Sequence, residues 1–167
     1  FFALNLALAD AGICAWDAKV AFDSVRPITA IRYLFEGQQV RAWAGPGRGS
    51  HAIAGETWFP YQPRFFPTPP FAEYPSGHST FSAAAAAVLA HFFGTDHVPF
   101  TVGTDDLPGI QRSYQQFSEA AQESGLSRIY GGIHFMSANL NGLSTGEAVG
   151  NYVYRHVLLP KKNRSRE

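Results

Sequence analysis

The sequence is short of the residues on which several common protein classes depend. It has one cysteine, Cys14, among 167 residues, which excludes an intrachain disulfide and a zinc cluster built from thiolates. Its 13 Lys and Arg balance its 13 Asp and Glu, whereas a nucleic-acid-binding domain usually carries a basic surplus. We therefore expect no nucleic-acid partner, a core position for Cys14, and an anion site only where cations cluster locally.

A long uninterrupted apolar run is also absent. Residues 1–16 are apolar but include Asn5 and Asp10, which makes them a poor membrane span, and they lack the basic start of a signal peptide. We expect no membrane association. Localisation stays open, because a longer precursor with an export signal would reach the periplasm or the exterior. The chain begins without methionine inside an apolar periodic run, so we expect its bundle to be completed by upstream helices or by a second copy in a homo-oligomer.

The apolar content of 46% is sufficient for a core, and the length is that of one domain. Helical periodicity predicts an all-α fold, with residues 1–160 as one helical-bundle catalytic domain and residues 161–167 as a charged tail. The first helix is expected to be buried on several faces. Gly142, Gly146 and Gly150 recur every fourth residue, which predicts close packing by the last helix. The predicted helices cover residues 2–22, 28–35, 81–93, 113–130 and 139–159.

Residues 37–74 are rich in glycine, proline and aromatic side chains. This composition predicts one long loop with little regular structure, and loops of such length in compact domains are often functional. Residues 98–106 carry a weaker pattern, typical of a short strand and turn.

The most informative stretch is Tyr74-Pro75-Ser76-Gly77-His78, which joins this loop to an alanine-rich helix. Ser76 is a favoured N-cap residue, and Gly77 has no Cβ, so a ligand can approach its backbone. A helix N-terminus offers unpaired N–H groups and the positive end of the helix dipole, to which anions bind. The alternative is that the stretch is a helix cap without a ligand.

Cations elsewhere in the chain can be brought to the same point. Lys19 and Arg26 are almost two helical turns apart, and Arg128 lies in the last turn of a predicted helix. The glycine pair after that helix allows the chain to turn, so that His134 can reach the ligand of Arg128. A lone lysine or arginine is usually a solvated surface charge, but the full set suits a tetrahedral dianion.

Three segments together carry a family resemblance. Lys19 with Arg26-Pro27, then Pro75-Ser76-Gly77-His78, then Arg128 with His134 resemble the three-part signature of vanadium-dependent haloperoxidases and of the type 2 phosphatidic acid phosphatase superfamily. The segments occur in the order that this superfamily uses, and they span most of the chain.

The resemblance implies a role for each matching residue. His134 would bond to the central atom, as the vanadium ligand of a haloperoxidase or as the nucleophile of a phosphatase, and His78 would be the acid or base. Vanadate is the implied cofactor, and phosphate would fit the same site. The residues implied to bind the oxygens of the anion are Lys19, Arg26, Ser76, Gly77 and Arg128. Trp16 and Phe71 would line a halide pocket.

Three functions remain open, of which a haloperoxidase is favoured. Trp16 and the aromatic Pro69-Pro70-Phe71 segment are similar to chloroperoxidases, which use hydrogen peroxide and halide. The alternative is an acid phosphatase acting on a phosphate monoester. Phosphatases usually carry an aspartate four residues after the second histidine, but here Ala138 occupies that position, so Ser137, Asn139 or a backbone carbonyl is expected to orient His134. The third function is that of a non-catalytic fragment whose bundle needs further chain.

Overall fold

The computed structural model describes residues 1–63 and 65–157, and five α-helices dominate them. This confirms the predicted all-α class. The helices are α1 (Phe2–Phe22), α2 (Pro27–Leu34), α3 (Gly77–Phe93), α4 (Phe117–Tyr130) and α5 (Met136–His156). The short strands are β1 (Gln39–Trp43), β2 (Ser50–Ala54), β3 (Phe100–Gly103) and β4 (Gln111–Tyr114). The predicted tail, residues 161–167, lies outside the described residues, as do residues 158–160.

Helix α3 is the centre of the bundle and contacts α1, α4 and α5. The glycine stripe of α5 lies against it, as the sequence predicts. A Cβ at Gly142 would meet the carbonyl oxygen of Ser76 at 2.8 Å, and one at Gly150 would meet that of Ala84 at 2.5 Å. Since later residues of α5 meet later residues of α3, the two helices run parallel and at close range. No helix in the described part of the chain has the length and apolarity to span a bilayer.

Helix α1 differs from its prediction. Only one stripe of it is buried, formed by Ala7, Ala11, Ala15 and Lys19. Apolar side chains on its other faces are exposed, among them Ile13 and Val20, and Cys14 is partly exposed rather than in the core. The apolar composition could not predict this, because the helix contacts neighbours on one side only.

The loop prediction was wrong in part. Residues 37–74 contain an antiparallel hairpin in which β1 pairs with β2, followed by a 3-10 turn at Gly55–Thr57. A second hairpin pairs β3 with β4, so the start of the predicted helix 113–130 is a strand and α4 begins at Phe117. These strands are short and mostly exposed, so an alternating apolar pattern is not required of them.

Candidate active site

A pocket of about 250 Å³ opens at the N-terminal end of α3. It contains both predicted catalytic histidines and two of the predicted arginines. Its lining residues are Trp16, Arg26, Pro69, Phe71, Gly77, His78, Phe81, Ser82, Arg128, Ile133 and His134. Segments that lie far apart in the sequence therefore meet in one cavity, as the anion-site prediction requires.

Arg26 is fixed from several directions. It is the N-cap residue of α2, with an extended backbone, and Pro27 occupies the first helical position. Its Nε donates to the carbonyl of Phe71 at 2.9 Å and its Nη1 to the carbonyl of Ile133, also at 2.9 Å. Its Nη2 is buried without a hydrogen-bond partner among the described residues. The fixed guanidinium thus has a buried nitrogen that is available to a ligand. Leaving its N–H groups unpaired costs folding free energy unless a ligand accepts from them.

The tautomer of His134 follows from its two neighbours. Nε2 lies 2.9 Å from Arg26 Nη1, and an arginine can only donate. Nε2 is therefore the acceptor, so Nδ1 carries the proton and donates to Glu73 Oε1 at 2.8 Å. Burial is the main cause that lowers the pKa of His134 below its usual value, and the bond to Glu73 acts in the opposite direction. In this state His134 is neutral, with a lone pair on Nε2.

Glu73 is the residue that the sequence interpretation missed. The expectation that Ser137, Asn139 or a backbone carbonyl orients His134 was wrong, because a buried carboxylate from the loop before α3 does so. Ser137 and Asn139 are close to His134 in sequence, but neither is hydrogen-bonded to its imidazole, whose partners are Glu73 and Arg26. The available signal was an acidic residue directly before the Tyr74-Pro75 segment, in an otherwise apolar stretch.

Arg128 and His78 complete the polar wall of the pocket. Arg128 lies in the last turn of α4, and its Nε is buried without a partner among the described residues. Burial lowers its pKa, but an arginine stays charged at any ordinary pH. His78 is an exposed residue of the first turn of α3 that also lines the pocket. Partial burial first, and then the charges of Arg128 and His134, lower the pKa of His78, so it is neutral near pH 7.

Lys19 lies beside the pocket but is not among its lining residues. Its ammonium donates to three backbone carbonyls, at 2.8 Å to Ala72, 3.2 Å to Glu73 and 2.6 Å to Pro75. An ammonium has three donors, so all are in use. Burial first, and then the nearby charge of Arg26, lower the pKa of Lys19 to about 8. Its observed contacts fix the loop before α3, and its predicted contact with the anion stays a prediction.

Ser76 and Gly77 begin α3 in the predicted manner. Ser76 is the N-cap residue, and its fully buried Oγ accepts the backbone N–H of Ser79 at 3.4 Å. Its hydroxyl therefore faces the helix and not the pocket, so its contact with the anion also stays a prediction. A Cβ at Gly77 would lie 3.8 Å from the rings of Phe81 and Trp16. The missing side chain leaves this space open toward the pocket.

Trp16 and Phe71 form the aromatic wall. Their ring centroids are 5.4 Å apart, and both rings are partly exposed. The Phe71 ring also lies 5.3 Å from Lys19 Nζ and 5.0 Å from Arg26 Cζ, within the range of cation–π attraction. Phe71 thus covers the cations and limits the access of water to them.

The donor set of this pocket fits an oxyanion. Two buried arginine nitrogens lack partners, and Gly77 leaves open space beside them, as a ligand rich in acceptor oxygens requires. Across residues 1–63 and 65–157, no group of three His, Cys, Asp or Glu side chains could hold a bare metal ion. The site therefore suits a phosphate-like or vanadate-like anion, with the neutral imidazoles of His78 and His134 beside the two arginines.

Comparison with known proteins agrees with this geometry. Residues 1–161 match the family described as the VCPO second helical-bundle domain. A holo-type bacterial vanadium-dependent chloroperoxidase is similar at 29% identity and a TM-score of 0.78, over 92% of this chain and 34% of that one. The first bacterial vanadium-dependent iodoperoxidase is similar at 34% identity and a TM-score of 0.72, over 92% of this chain and 32% of that one. The chain thus spans about a third of the length of these relatives, and it matches no curated protein.

Proposed function

Because the chain belongs to the VCPO second helical-bundle domain family, we propose that it holds the vanadate site of a haloperoxidase that oxidises halide with hydrogen peroxide. The product would be a hypohalous species. The observation that supports this most is the convergence of Arg26 Nη2, Arg128 Nε and His134 on one pocket, with both arginine nitrogens unpaired within the part of the chain that the structure describes.

Each residue of the pocket has a separate task in this proposal. Arg26 and Arg128 donate to the oxygens of vanadate, which gives Arg26 Nη2 and Arg128 Nε the acceptors that they lack. His134 Nε2 supplies the nitrogen ligand, for which Arg26 Nη1 has to release the hydrogen bond that it donates to Nε2. When bound, vanadate supplies Lewis-acid activation of peroxide without a change in its oxidation state.

His78 is the residue placed to move a proton. Its lowered pKa keeps it neutral near pH 7, so one ring nitrogen accepts a proton from an incoming peroxide and returns it later. Its partly exposed position allows exchange with solvent. Trp16 and Phe71 form an apolar wall beside it, against which a weakly hydrated halide can lie while bulk water is kept away from the arginines.

A paired assay on one preparation of the full chain tests the proposal. Halide oxidation is measured with peroxide and vanadate, and p-nitrophenyl phosphate hydrolysis is measured without them. We expect the first activity, and we expect His134→Ala to abolish it. His51→Ala is the matched control, since His51 lies exposed on β2 outside this pocket. Full halide oxidation by His134→Ala would refute the assignment.

An acid phosphatase is the second candidate, and Glu73 favours it. A phosphohistidine mechanism needs a neutral imidazole with one nitrogen free and the other bonded to a carboxylate. Glu73 supplies the carboxylate at Nδ1, although Ala138 lacks the one that phosphatases usually have there, and Nε2 becomes free once Arg26 Nη1 shifts its hydrogen bond from the imidazole to the phosphate. Hydrolysis of p-nitrophenyl phosphate without halide oxidation would decide for the phosphatase.

The third candidate is a non-catalytic fragment whose bundle assembles only together with further chain. The exposed apolar side chains of α1 favour it. A cooperative thermal transition of the 167-residue chain that is raised by phosphate or vanadate would contradict it, because only a folded site stabilises the protein through ligand binding.

A further inference from the structure

The carboxylate of Glu73 is one of the most completely enclosed acidic groups described in the chain. Its Oε1 accepts two hydrogen bonds, from His134 Nδ1–H at 2.8 Å and from the backbone N–H of Phe135 at 2.9 Å. The side chains of Glu73 and His134 are only 3% and 5% exposed. Two donors on a single oxygen leave the carboxylate little freedom to move.

The backbone of Glu73 is fixed as well. Its N–H donates to the carbonyl of Ser24 at 2.9 Å, and its own carbonyl accepts from Lys19 Nζ at 3.2 Å. Both partners lie at or just beyond the end of α1. Glu73 therefore connects the end of α1 with the start of α5, and a shift of either element would move the imidazole of His134.

We propose that Glu73 is a positioning residue, which holds the His134 ring through Nδ1–H and so keeps Nε2 on the side of the pocket, where it accepts from Arg26 Nη1 and becomes available to an oxyanion that displaces this bond. It does the task of the carboxylate that phosphatases usually carry at the position of Ala138, but from a different element of the fold. The proposal rests on the proposed function only for the identity of the oxyanion. Glu73 touches no ligand itself and acts through His134.

A carboxylate has an advantage over a neutral acceptor at this position. When Nε2 bonds to an electron-poor central atom, the imidazole gains positive character, which a negative acceptor at Nδ1 stabilises. Arg26 bonds to Nε2 on the opposite side of the ring, and the carboxylate of Glu73 is the negative group that is hydrogen-bonded to the imidazole.

The test compares Glu73→Gln and Glu73→Ala with the wild-type full chain. Glu56→Gln is the matched control, since its exposed carboxylate accepts from Gly37 N–H far from His134 in the sequence. Nitrogen NMR of His134 reports the tautomer and mobility of its ring, and calorimetry reports the affinity for inorganic phosphate and for vanadate. These readouts need neither peroxide nor halide.

Because Arg26 still donates to Nε2, we expect the Nδ1–H tautomer in the wild type and in Glu73→Ala, but in Glu73→Ala the ring loses its second fixed point and should become more mobile. Phosphate and vanadate affinity should fall by about 10- to 100-fold in Glu73→Ala, the range found when an outer partner of a ligating histidine is removed. Glu73→Gln keeps the shape and loses the charge, so it should fold and bind both anions less tightly. The control should match the wild type.

Wild-type affinity of Glu73→Gln for both anions would overturn the proposal, and this holds even if Glu73→Ala fails to fold. A different result would contradict the proposed function. If the wild type binds vanadate and Glu73→Gln weakens it, but the wild type oxidises no halide, then Glu73 keeps its role and the haloperoxidase assignment is lost.

Discussion

Arg26 and His134 are joined by a hydrogen bond of 2.9 Å between Nη1 and Nε2, although 108 residues separate them in the sequence. The same imidazole is bonded to Glu73 on its other side. His134 therefore lies between a cation that lowers its pKa and a carboxylate that raises it. The pKa of His134 therefore depends on both residues that are bonded to its ring, Arg26 and Glu73.

Replacement of Arg26 tests whether its positive charge lowers the pKa of His134. Arg26→Gln removes a positive charge, so the pKa of His134 should rise, and phosphate should bind about tenfold to a hundredfold more weakly, as expected for the loss of a charge-assisted bond. NMR titration and calorimetry measure the two quantities.

Arg26→Lys is the matched variant. It keeps the charge but loses the planar fork, so the pKa of His134 should stay low while phosphate affinity still falls. Equal His134 pKa values in Arg26→Gln and wild type would contradict the assigned electrostatics.

Acidification should destabilise the protein. The pKa values of His78 and His134 are both lowered in the folded chain. Below about pH 6.5 these two histidines are therefore protonated more in the unfolded chain than in the folded chain, which favours unfolding. Stability should thus fall from pH 7 toward pH 5. A bound oxyanion raises both pKa values, so added phosphate should reduce the loss.

Melting temperatures across this pH range, with and without phosphate, check the prediction. In His78→Gln, which changes an exposed residue, the pH dependence should be weaker. A melting temperature that rises on acidification in the absence of phosphate would contradict the lowered pKa values of His78 and His134.

Lys19 should be needed for both stability and anion affinity. Lys19→Met leaves the carbonyls of Ala72, Glu73 and Pro75 without their donor, which should cost about 1–3 kcal/mol of unfolding free energy. In the wild type, phosphate affinity should fall as the pH rises through about 8, because the pKa of Lys19 is lowered to about 8 and its charge is lost above it.

Denaturant melts and calorimetry at several pH values measure these effects. Lys19→Met should lack the step in affinity near pH 8. If that step persists in the variant, another group causes it.

The glycine stripe of α5 should tolerate no side chain. A Cβ at Gly146 would overlap the carbonyl oxygen of Thr80, so Gly146→Ala should force the two helices apart and destabilise the protein by about 1–3 kcal/mol or more. Gly103→Ala is the control, because its Cβ would meet only the carbonyl of Ile110 at 3.6 Å. Similar melting temperatures for the two variants would contradict the close packing of α3 and α5.

Local features of this protein could be predicted because nearby residues determine them. Ser76 caps α3, Pro27 begins α2, and Gly142, Gly146 and Gly150 pack against α3. Each depends on the chemistry of one or a few neighbouring residues. The hairpin of β1 and β2 and the strand β4 were missed because short exposed strands carry no apolar alternation, whereas the strand predicted within residues 98–106 is present as β3.

The sequence by itself determined which groups are available for the site: two histidines, a set of cations and a capped helix N-terminus in a recognisable order. Only the tertiary structure decided how they are used. Arg26, Glu73 and His134 come together from distant segments, and the direction of each side chain depends on the packing of α1, α3 and α5 around the intervening loops. Because a buried acceptor is chosen by proximity in space, the structure assigned His134 to Glu73 and the ammonium of Lys19 to three backbone carbonyls.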